Sequence, residues 1–402
     1  MRSDVLYATV AQDEEGLPAR ADNSKAGLLG FGFIIGVCIL FLGPIVQRYG
    51  AGLFLPSFAK RITLTPDGHR KLVEGHQFVV IGGPHRGGTT LLWRLLAAHP
   101  LVSGFPEKSI ESDFSEGSFL QSVLPTFGVG AELLGPKAVG GRRGRSFRSD
   151  DGLGRYGLAA SSHMTETHAL NTDDAARTLL SEWGYYWNLS RPTLVEKTPT
   201  NMLTSRLLQG LLSRPLPPPN GHSTRFLFIT RHPLAVSLAH KRWPCCVHMS
   251  IPSLVVHWLH THRVLAADLP HLHHVKVLRY EDLAKRPGPA MKRILTWLKL
   301  PPARIDVSDV SASTNQKYEQ EYCSRHLNDL SMARAHCVAS GVLQPLIAPM
   351  GLDYDVRDGG PSGFGCIASK LKALAPPSSI TPCSGIVSST QQQQASAQLV
   401  DL

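Results

Sequence analysis

A glycine-rich segment with one arginine and two threonines is the part of this sequence best suited to chemistry. It runs from Gly82 to Thr90 and reads GGPHRGGTT, between the apolar run Gln77–Gly82 and a helical pattern over Thr90–Ala98. Glycines let the backbone curve around an anion, and the N-terminus of a following helix directs free N–H groups towards it. The segment therefore predicts a phosphate-binding loop.

This loop lacks the lysine that nucleotide triphosphatases place on the β- and γ-phosphates in the pattern G-x-x-x-x-G-K-[ST]. Gly82, Gly87 and Thr89 fit that pattern, but Gly88 stands at the lysine position and the basic residue is Arg86. The sequence therefore argues against hydrolysis of ATP or GTP. It favours a cradle for a single terminal phosphate.

The elements around the loop alternate between strand and helix. Strand-like runs recur at Arg225–Thr230 and His274–Arg279, and helical patterns begin near Pro233 and cover Pro289–Leu300. Strands alternating with helices are typical of a parallel sheet covered on both faces. We therefore predict an α/β fold with a P-loop-like parallel sheet flanked by helices.

Composition bounds the classes of protein that this chain can belong to. It has 402 residues, 43% of them hydrophobic, and a formal net charge of +10. The apolar content excludes wholesale disorder, and the basic balance favours an anionic ligand without indicating nucleic acid. The predicted organisation is an N-terminal tail (1–26), a membrane anchor (27–46), a stem (47–70), a folded domain (71–355) and a disordered tail (356–402).

The predicted anchor, Gly27–Val46, is twenty residues long and carries no charge. About 20 apolar residues span a bilayer, whereas a signal peptide usually has a shorter apolar core. Basic residues flank both sides, so their distribution barely decides the orientation and favours a cytosolic C-terminal side only slightly. The Gly32-x-x-x-Gly36 spacing would let two anchors pack as a homodimer. The sequon at Asn188 would be glycosylated only if the folded domain were lumenal.

Seven cysteines are present, and none lies in a CxxC or Cys/His zinc spacing, so no metal site is predicted. Cys38 lies in the predicted anchor, and the remaining six would permit disulfides in an oxidising compartment. Cys323 and Cys337 are the nearest plausible pair. The alternative to disulfides is that these cysteines are free thiols buried in the core.

Four segments, in order, resemble the sulfotransferases that use PAPS (3′-phosphoadenylyl sulfate), in particular membrane-bound Golgi enzymes that act on protein tyrosine or carbohydrate. They are GGPHRGGTTLLWRLLAAHP at the loop, VEKTPTN (195–201), FLFITRHPLAVSLAH (226–240) and VLRYEDLAKRPGPAMKRILTWLKL (277–300). The resemblance implies a single-pass Golgi enzyme with a lumenal domain. It would move a sulfuryl group from PAPS, released as PAP, to an acidic protein or glycan acceptor without a metal.

The resemblance also implies roles for residues at the donor. Arg86 would bind the 5′-phosphosulfate, and Lys197 would face the bridging oxygen as the bond breaks. The loop donors would be Gly87, Gly88, Thr89 and Thr90, with Gly87 in place of the serine common in the family.

Arg231 would bind the 3′-phosphate. The partner serine of the family is replaced here by Ala239, so either Ser237 takes that role through a local shift or Arg231 acts with other donors. Tyr280 would close over the donor.

Proton removal from the acceptor requires a base, and the resemblance implies Glu107, which lies just past the end of the helix after the loop. The alternative bases are His85, His232 and His240. Two other functions stay open on the sequence. One is a P-loop kinase-like enzyme, and the other is a non-catalytic membrane adaptor with a vestigial nucleotide pocket.

Overall fold

A parallel sheet forms the centre of the computed structural model, which describes residues 61–107, 115–125, 152–216, 224–243, 246–325 and 348–350. The five strands of this part of the chain pair in the order β2-β3-β1-β4-β5, each parallel to its neighbour. Their bounds are β1 Gln77–Gly82, β2 Val102–Gly104, β3 Thr193–Lys197, β4 Arg225–Thr230 and β5 Val275–Arg279. This sheet, flanked by helices, confirms the predicted α/β fold.

Helices connect these strands and cover both faces of the sheet. In chain order they are α1 Pro66–Gly75, α2 Thr89–Ala97, α3 Gly152–Arg155, α4 Asp173–Gly184, α5 Asn201–Ser213, α6 Pro233–His240, α7 Ile251–Asp268, α8 Tyr280–Lys285, α9 Pro287–Trp297 and α10 Gln316–Arg325. Pro233 opens α6, as predicted, because proline suits the first helical turn.

Alternation along the central strands divides the core into two layers. Phe78 and Val80 of β1 join one buried cluster, which includes side chains of α5 and α7. Val79 and Ile81 point to the other cluster, which includes side chains of α2 and α9. Because helices cover both faces of the sheet, the residues of β1 on both faces are apolar.

The carboxyl ends of the central strands meet at one edge of the sheet. Ile81 of β1 lies opposite Lys197 of β3, and Gly82 lies opposite Phe228 of β4. The residues that follow β1, β3 and β4 therefore emerge side by side, which is where ligands bind in open α/β sheets.

Several predicted segments lie outside the described residues: the N-terminal tail, the anchor at 27–46, most of the stem and the C-terminal tail. The chain divides into two units, 1–56 and 57–402, and every described residue belongs to the second. Helix α1 begins at Pro66, inside the range predicted as the stem. In the ranges given above, no helix combines the length and the apolar character needed to cross a membrane.

Candidate active site

The loop between β1 and α2 is tightly curved at two glycines. Gly88 has φ of 102°, in the left-handed region, and a Cβ atom there would lie 2.5 Å from Cδ2 of Tyr280. Gly87 donates its N–H to the carbonyl oxygen of Pro84 over 2.8 Å, and a Cβ atom at position 87 would lie 2.6 Å from that oxygen. The serine that the family commonly has at position 87 would therefore require Pro84 to shift.

Helix α2 starts directly after this loop, and Gly88 provides no side chain to cap it. The N–H groups of a helix's first turn have no partner within the helix, so they form a natural site for an anion. Thr89 is buried in this turn, whereas Thr90 is exposed. A glycine-rich loop followed by an uncapped helix start is the local structure that a phosphate cradle requires, and phosphate binding here stays a prediction.

Arg231 directly follows β4 and is buried beside the loop, with 5% of its surface exposed. Its Nη1 donates to the carbonyl oxygen of Arg86 over 3.0 Å, and its Nε donates to Oδ1 of Asn315 over 2.7 Å. The guanidinium carbon lies 4.4 Å from the ring centroid of Tyr280 and 5.2 Å from that of Tyr318.

The third nitrogen of this guanidinium, Nη2, is buried and has no hydrogen-bond partner among the described residues. Burial lowers the pKa of Arg231 from its usual value, yet an arginine stays charged in proteins. A buried cation with an unused N–H donor is suited to an anionic oxygen of a ligand.

Ser237 lies on α6 and is completely buried, and its hydroxyl also has no partner among the described residues. Ala239, at the position where the family commonly has serine, is equally buried on the same helix. His232 is the N-cap of α6, where its Nδ1 accepts from the N–H of Leu234 over 3.3 Å. This capping contact gives His232 a structural role.

Lys197 ends β3 with 1% of its surface exposed, although it is charged. Its Nζ lies 2.9 Å from Oε1 of Glu116 and donates to the hydroxyl of Thr90 over 3.4 Å. Lys197 therefore joins the first turn of α2 to a carboxylate from a distant segment. The structure thus brings the predicted residues Lys197 and Thr90 into contact.

Glu107 is placed differently from these residues. It follows β2, the strand next to β3, and its side chain is exposed. Among the described residues, none forms a hydrogen bond or ion pair with its carboxylate. Its assignment as the base stays a prediction.

The alternative bases His85 and His240 lie in an aromatic cluster beside the loop. Their ring centroids are 6.4 Å apart, and Trp243 packs against both. Burial lowers the pKa of His240 to about 4 and holds that of His85 well below its usual value, so both rings are neutral at pH 7. The Nδ1–H of His240 donates to the carbonyl oxygen of Val236 over 2.9 Å, which leaves Nε2 as the acceptor of the neutral ring.

The guanidinium carbon of Arg86 lies 4.9 Å from the ring centroid of Trp243, the same residue that packs against the two histidines. Arg86 itself has φ of 64°, which is uncommon for a residue with a side chain. The side chain of Arg86 is exposed, unlike that of Arg231.

Sequence reasoning missed three residues of this site: Glu116, Asn315 and Tyr318. None lies in a recognisable motif, and each reaches the site only through tertiary packing. The one available signal was position in the sequence, since Asn315 and Tyr318 follow the last predicted helix, Pro289–Leu300.

Comparison with known proteins identifies a family for this chain. The model of the sulfotransferase family matches residues 78–304, which is more than half of the chain. No curated protein matches the sequence.

Similar solved structures include three sulfotransferases. A domain from the curacin biosynthetic pathway has 15% identity and a TM-score of 0.33, with 84% of this chain and 99% of that chain covered. A domain from the Synechococcus PCC 7002 olefin synthase has 15% identity and a TM-score of 0.32, with 85% and 98% covered. A sulfotransferase from Mycobacterium avium has 12% identity and a TM-score of 0.32, with 77% and 80% covered.

The family match includes the phosphate-binding loop, Lys197 and Arg231, which the fold gathers at one edge of its sheet. This chain belongs to the sulfotransferase family.

Proposed function

We propose that this protein transfers a sulfuryl group from PAPS to a hydroxyl group of a protein tyrosine or a glycan. The observation that carries the proposal is the buried Nη2 of Arg231, an unused cationic donor beside the phosphate-binding loop. PAPS has phosphate at both ends of its ribose, so it requires two anion sites. The loop and Arg231 supply two such sites, and the hydrogen bond from Arg231 to Arg86 O fixes one relative to the other.

The residues present fit this donor. The loop's curvature and the uncapped start of α2 suit the 5′-phosphosulfate. Arg231 suits the 3′-phosphate, with Ser237 as a second buried donor on α6. Tyr280 packs against both Gly88 and Arg231, so its ring fixes the distance between the two sites.

When bound, PAPS supplies an activated sulfuryl group whose leaving group is a phosphate oxygen. The protein then has two tasks: it must hold the donor in line with the acceptor and stabilise charge on the leaving oxygen. Lys197 is suited to the second task because a compact ammonium at the end of β3 can donate to that oxygen. Arg86 is suited to holding the donor in line with the acceptor, together with Thr89 and Thr90.

Glu107 is the proposed base that removes the acceptor's proton. Its exposed carboxylate follows β2 at the edge where the other site residues gather, and an exposed position allows a large acceptor to reach it. Glu107→Gln should then reduce transfer by two orders of magnitude or more, the usual scale of general base catalysis, while leaving donor binding unchanged.

Sequence features support the setting that we propose for this reaction. Residues 27–46 would anchor the protein in the Golgi membrane with the folded domain in the lumen, and two anchors could pair through Gly32 and Gly36. The net charge of +10 favours an acidic acceptor.

Calorimetric titration with PAP, the product that keeps both phosphates, tests the donor assignment without knowledge of the acceptor. We expect micromolar binding to the wild type, weakened about 10- to 150-fold by Arg86→Ala or Arg231→Ala, the scale of one lost charged hydrogen bond. Arg225→Ala is the matched control. Arg225 lies at the opposite end of β4 and packs on Trp297, so its loss removes the same charge away from the site. Tight ATP binding with no PAP binding would instead favour the kinase-like function.

A further inference from the structure

The ion pair between Lys197 and Glu116 places a carboxylate where the proposed donor must bind. Lys197 Nζ and Glu116 Oε1 are 2.9 Å apart, and only 2% and 12% of their side chains are exposed. A buried ion pair adds little to stability compared with apolar packing of the same volume. Its place at the end of β3, in contact with the phosphate-binding helix, suggests a functional reason.

The segment that carries Glu116 is held firmly against the sheet. The N–H of Gly117 donates to Oε1 of Glu196 over 3.1 Å, and the carbonyl oxygen of Gly117 accepts from Nε1 of Trp183 over 3.0 Å. The N–H of Ser118 donates to the hydroxyl of Thr198 over 3.1 Å. These contacts come from buried residues of β3, its following loop and α4, so the position of Glu116 is fixed by the fold.

Close packing at Gly117 supports the same conclusion. A Cβ atom on Gly117 would lie 2.6 Å from Oε1 of Glu196, so a larger residue would push the segment away from β3. Glycine at this position lets the backbone approach the strand closely enough for its neighbour, Glu116, to reach Lys197.

Lys197 has three N–H donors, of which one points to Glu116 and one to Thr90. The third is available for a ligand. The pair with Glu116 therefore orients the ammonium without occupying it completely, and it balances the charge of Lys197 before a donor arrives.

We propose that Glu116 is a positioning residue that orients Lys197 and, by opposing the negative charge of PAP, promotes release of this product. The proposal rests on the proposed function. Sulfuryl transfer breaks the bond between sulfur and the bridging oxygen, and the electron pair stays on that oxygen. The sulfuryl group is transferred as neutral SO3, so PAP keeps the total charge of PAPS, but the charge that the sulfate oxygens carried in PAPS is concentrated in PAP on the former bridging oxygen, which Lys197 is proposed to face. A fixed carboxylate beside Lys197 consequently opposes the product more than the donor.

Binding of PAP to Glu116→Gln tests the proposal. The amide keeps the shape of the side chain and removes its charge, so PAP should bind about tenfold more tightly, the order expected for one nearby unit charge after solvent screening. Most of this change should appear as slower dissociation, measurable by surface plasmon resonance. Glu74→Gln is the control because it removes the same charge from the exposed surface of α1, and its PAP affinity should match the wild type.

Equal or weaker PAP binding by folded Glu116→Gln would overturn the proposal. Should that variant fail to fold, Glu116→Asp keeps the charge but withdraws it from Lys197, and it should bind PAP about threefold more tightly. Unchanged or weaker binding by Glu116→Asp would also overturn it. Failure of the wild type to bind PAP would instead refute the proposed function itself, so the two failures are distinguishable.

Discussion

Gly88→Ala should damage both anion sites with a single methyl group. The backbone at Gly88 has φ of 102°, which a residue with a side chain rarely adopts. The new methyl carbon would lie 2.5 Å from Cδ2 and 3.2 Å from Cε2 of Tyr280. The ring of Tyr280 must therefore move, and this ring packs against the guanidinium of Arg231 at 4.4 Å.

Two costs set the magnitude of this effect. The left-handed backbone costs a non-glycine residue about 1–2 kcal/mol. Overpacking against a buried ring costs about 1–3 kcal/mol more. We therefore expect the free energy of unfolding to fall by about 2–5 kcal/mol. Displacement of Tyr280 from Arg231 should weaken PAP binding by about tenfold or more, since it also disturbs the loop.

Urea unfolding and PAP calorimetry measure the two effects separately. Gly75→Ala is the matched control because Gly75 ends α1 and a Cβ atom there would meet nothing within 4 Å. This control should leave PAP binding unchanged and keep or slightly raise stability, as helix propensity predicts. If Gly88→Ala matched Gly75→Ala in both measurements, the loop would not depend on glycine at position 88, and our account of its geometry would be wrong.

Three further predictions concern stability and are all checked by urea unfolding. Burial lowers the pKa of His240 from 6.5 to about 4, so the unfolded state binds this proton before the folded state does as the pH falls. The free energy of unfolding of the wild type should therefore fall by about 2 kcal/mol through this group between pH 7.5 and 5. His240→Gln should remove this part of the pH dependence. Burial raises the pKa of Glu196 from 4.5 to about 7, so this group destabilises the folded state as the pH rises. The free energy of unfolding should fall by about 1 kcal/mol between pH 6 and 8.5. Glu196→Gln should abolish this fall, and an unchanged pH dependence in the variant would contradict the prediction. Trp183→Phe removes the donor to the carbonyl oxygen of Gly117 and should cost about 1–3 kcal/mol by leaving a buried acceptor unpaired, whereas a neutral effect would mean that water replaces the indole.

The elements predicted correctly from sequence are those with a strong local pattern. Gln77–Gly82 and Arg225–Thr230 are strands with the predicted bounds, because continuous apolar runs of six residues have to be buried on both faces of a sheet. The start of α6 at Pro233 was also predicted correctly, whereas the bounds of α2 and α9 were predicted with errors of one to three residues. Thr89 rather than Thr90 begins α2, and Pro287 rather than Pro289 begins α9. Such errors are expected where a helix end has no side-chain cap.

The two strands on the other side of β1 could not be predicted in this way. β2 has only three residues, Val102–Gly104, which is too short for a periodic pattern. β3 ends in Glu196 and Lys197, two charged residues that a sequence pattern assigns to the surface. Both are buried because residues far along the chain provide their partners: Gly117 for the carboxylate and Glu116 for the ammonium.

The candidate site follows the same division between local pattern and tertiary contact. Arg86 and Arg231 could be predicted from the family resemblance, because each lies in a motif at or near the end of an apolar strand, and these strands, β1 and β4, are neighbours in the sheet. Glu116 could not be predicted, because it belongs to no recognisable motif and its contact with Lys197 joins residues that are far apart in the chain. A site read from motifs alone therefore contains the cations that we propose to bind the donor and omits the carboxylate that we propose to oppose the product. Since turnover requires both binding and release, the residue that the sequence conceals is the one that we expect to limit how tightly this protein holds PAP.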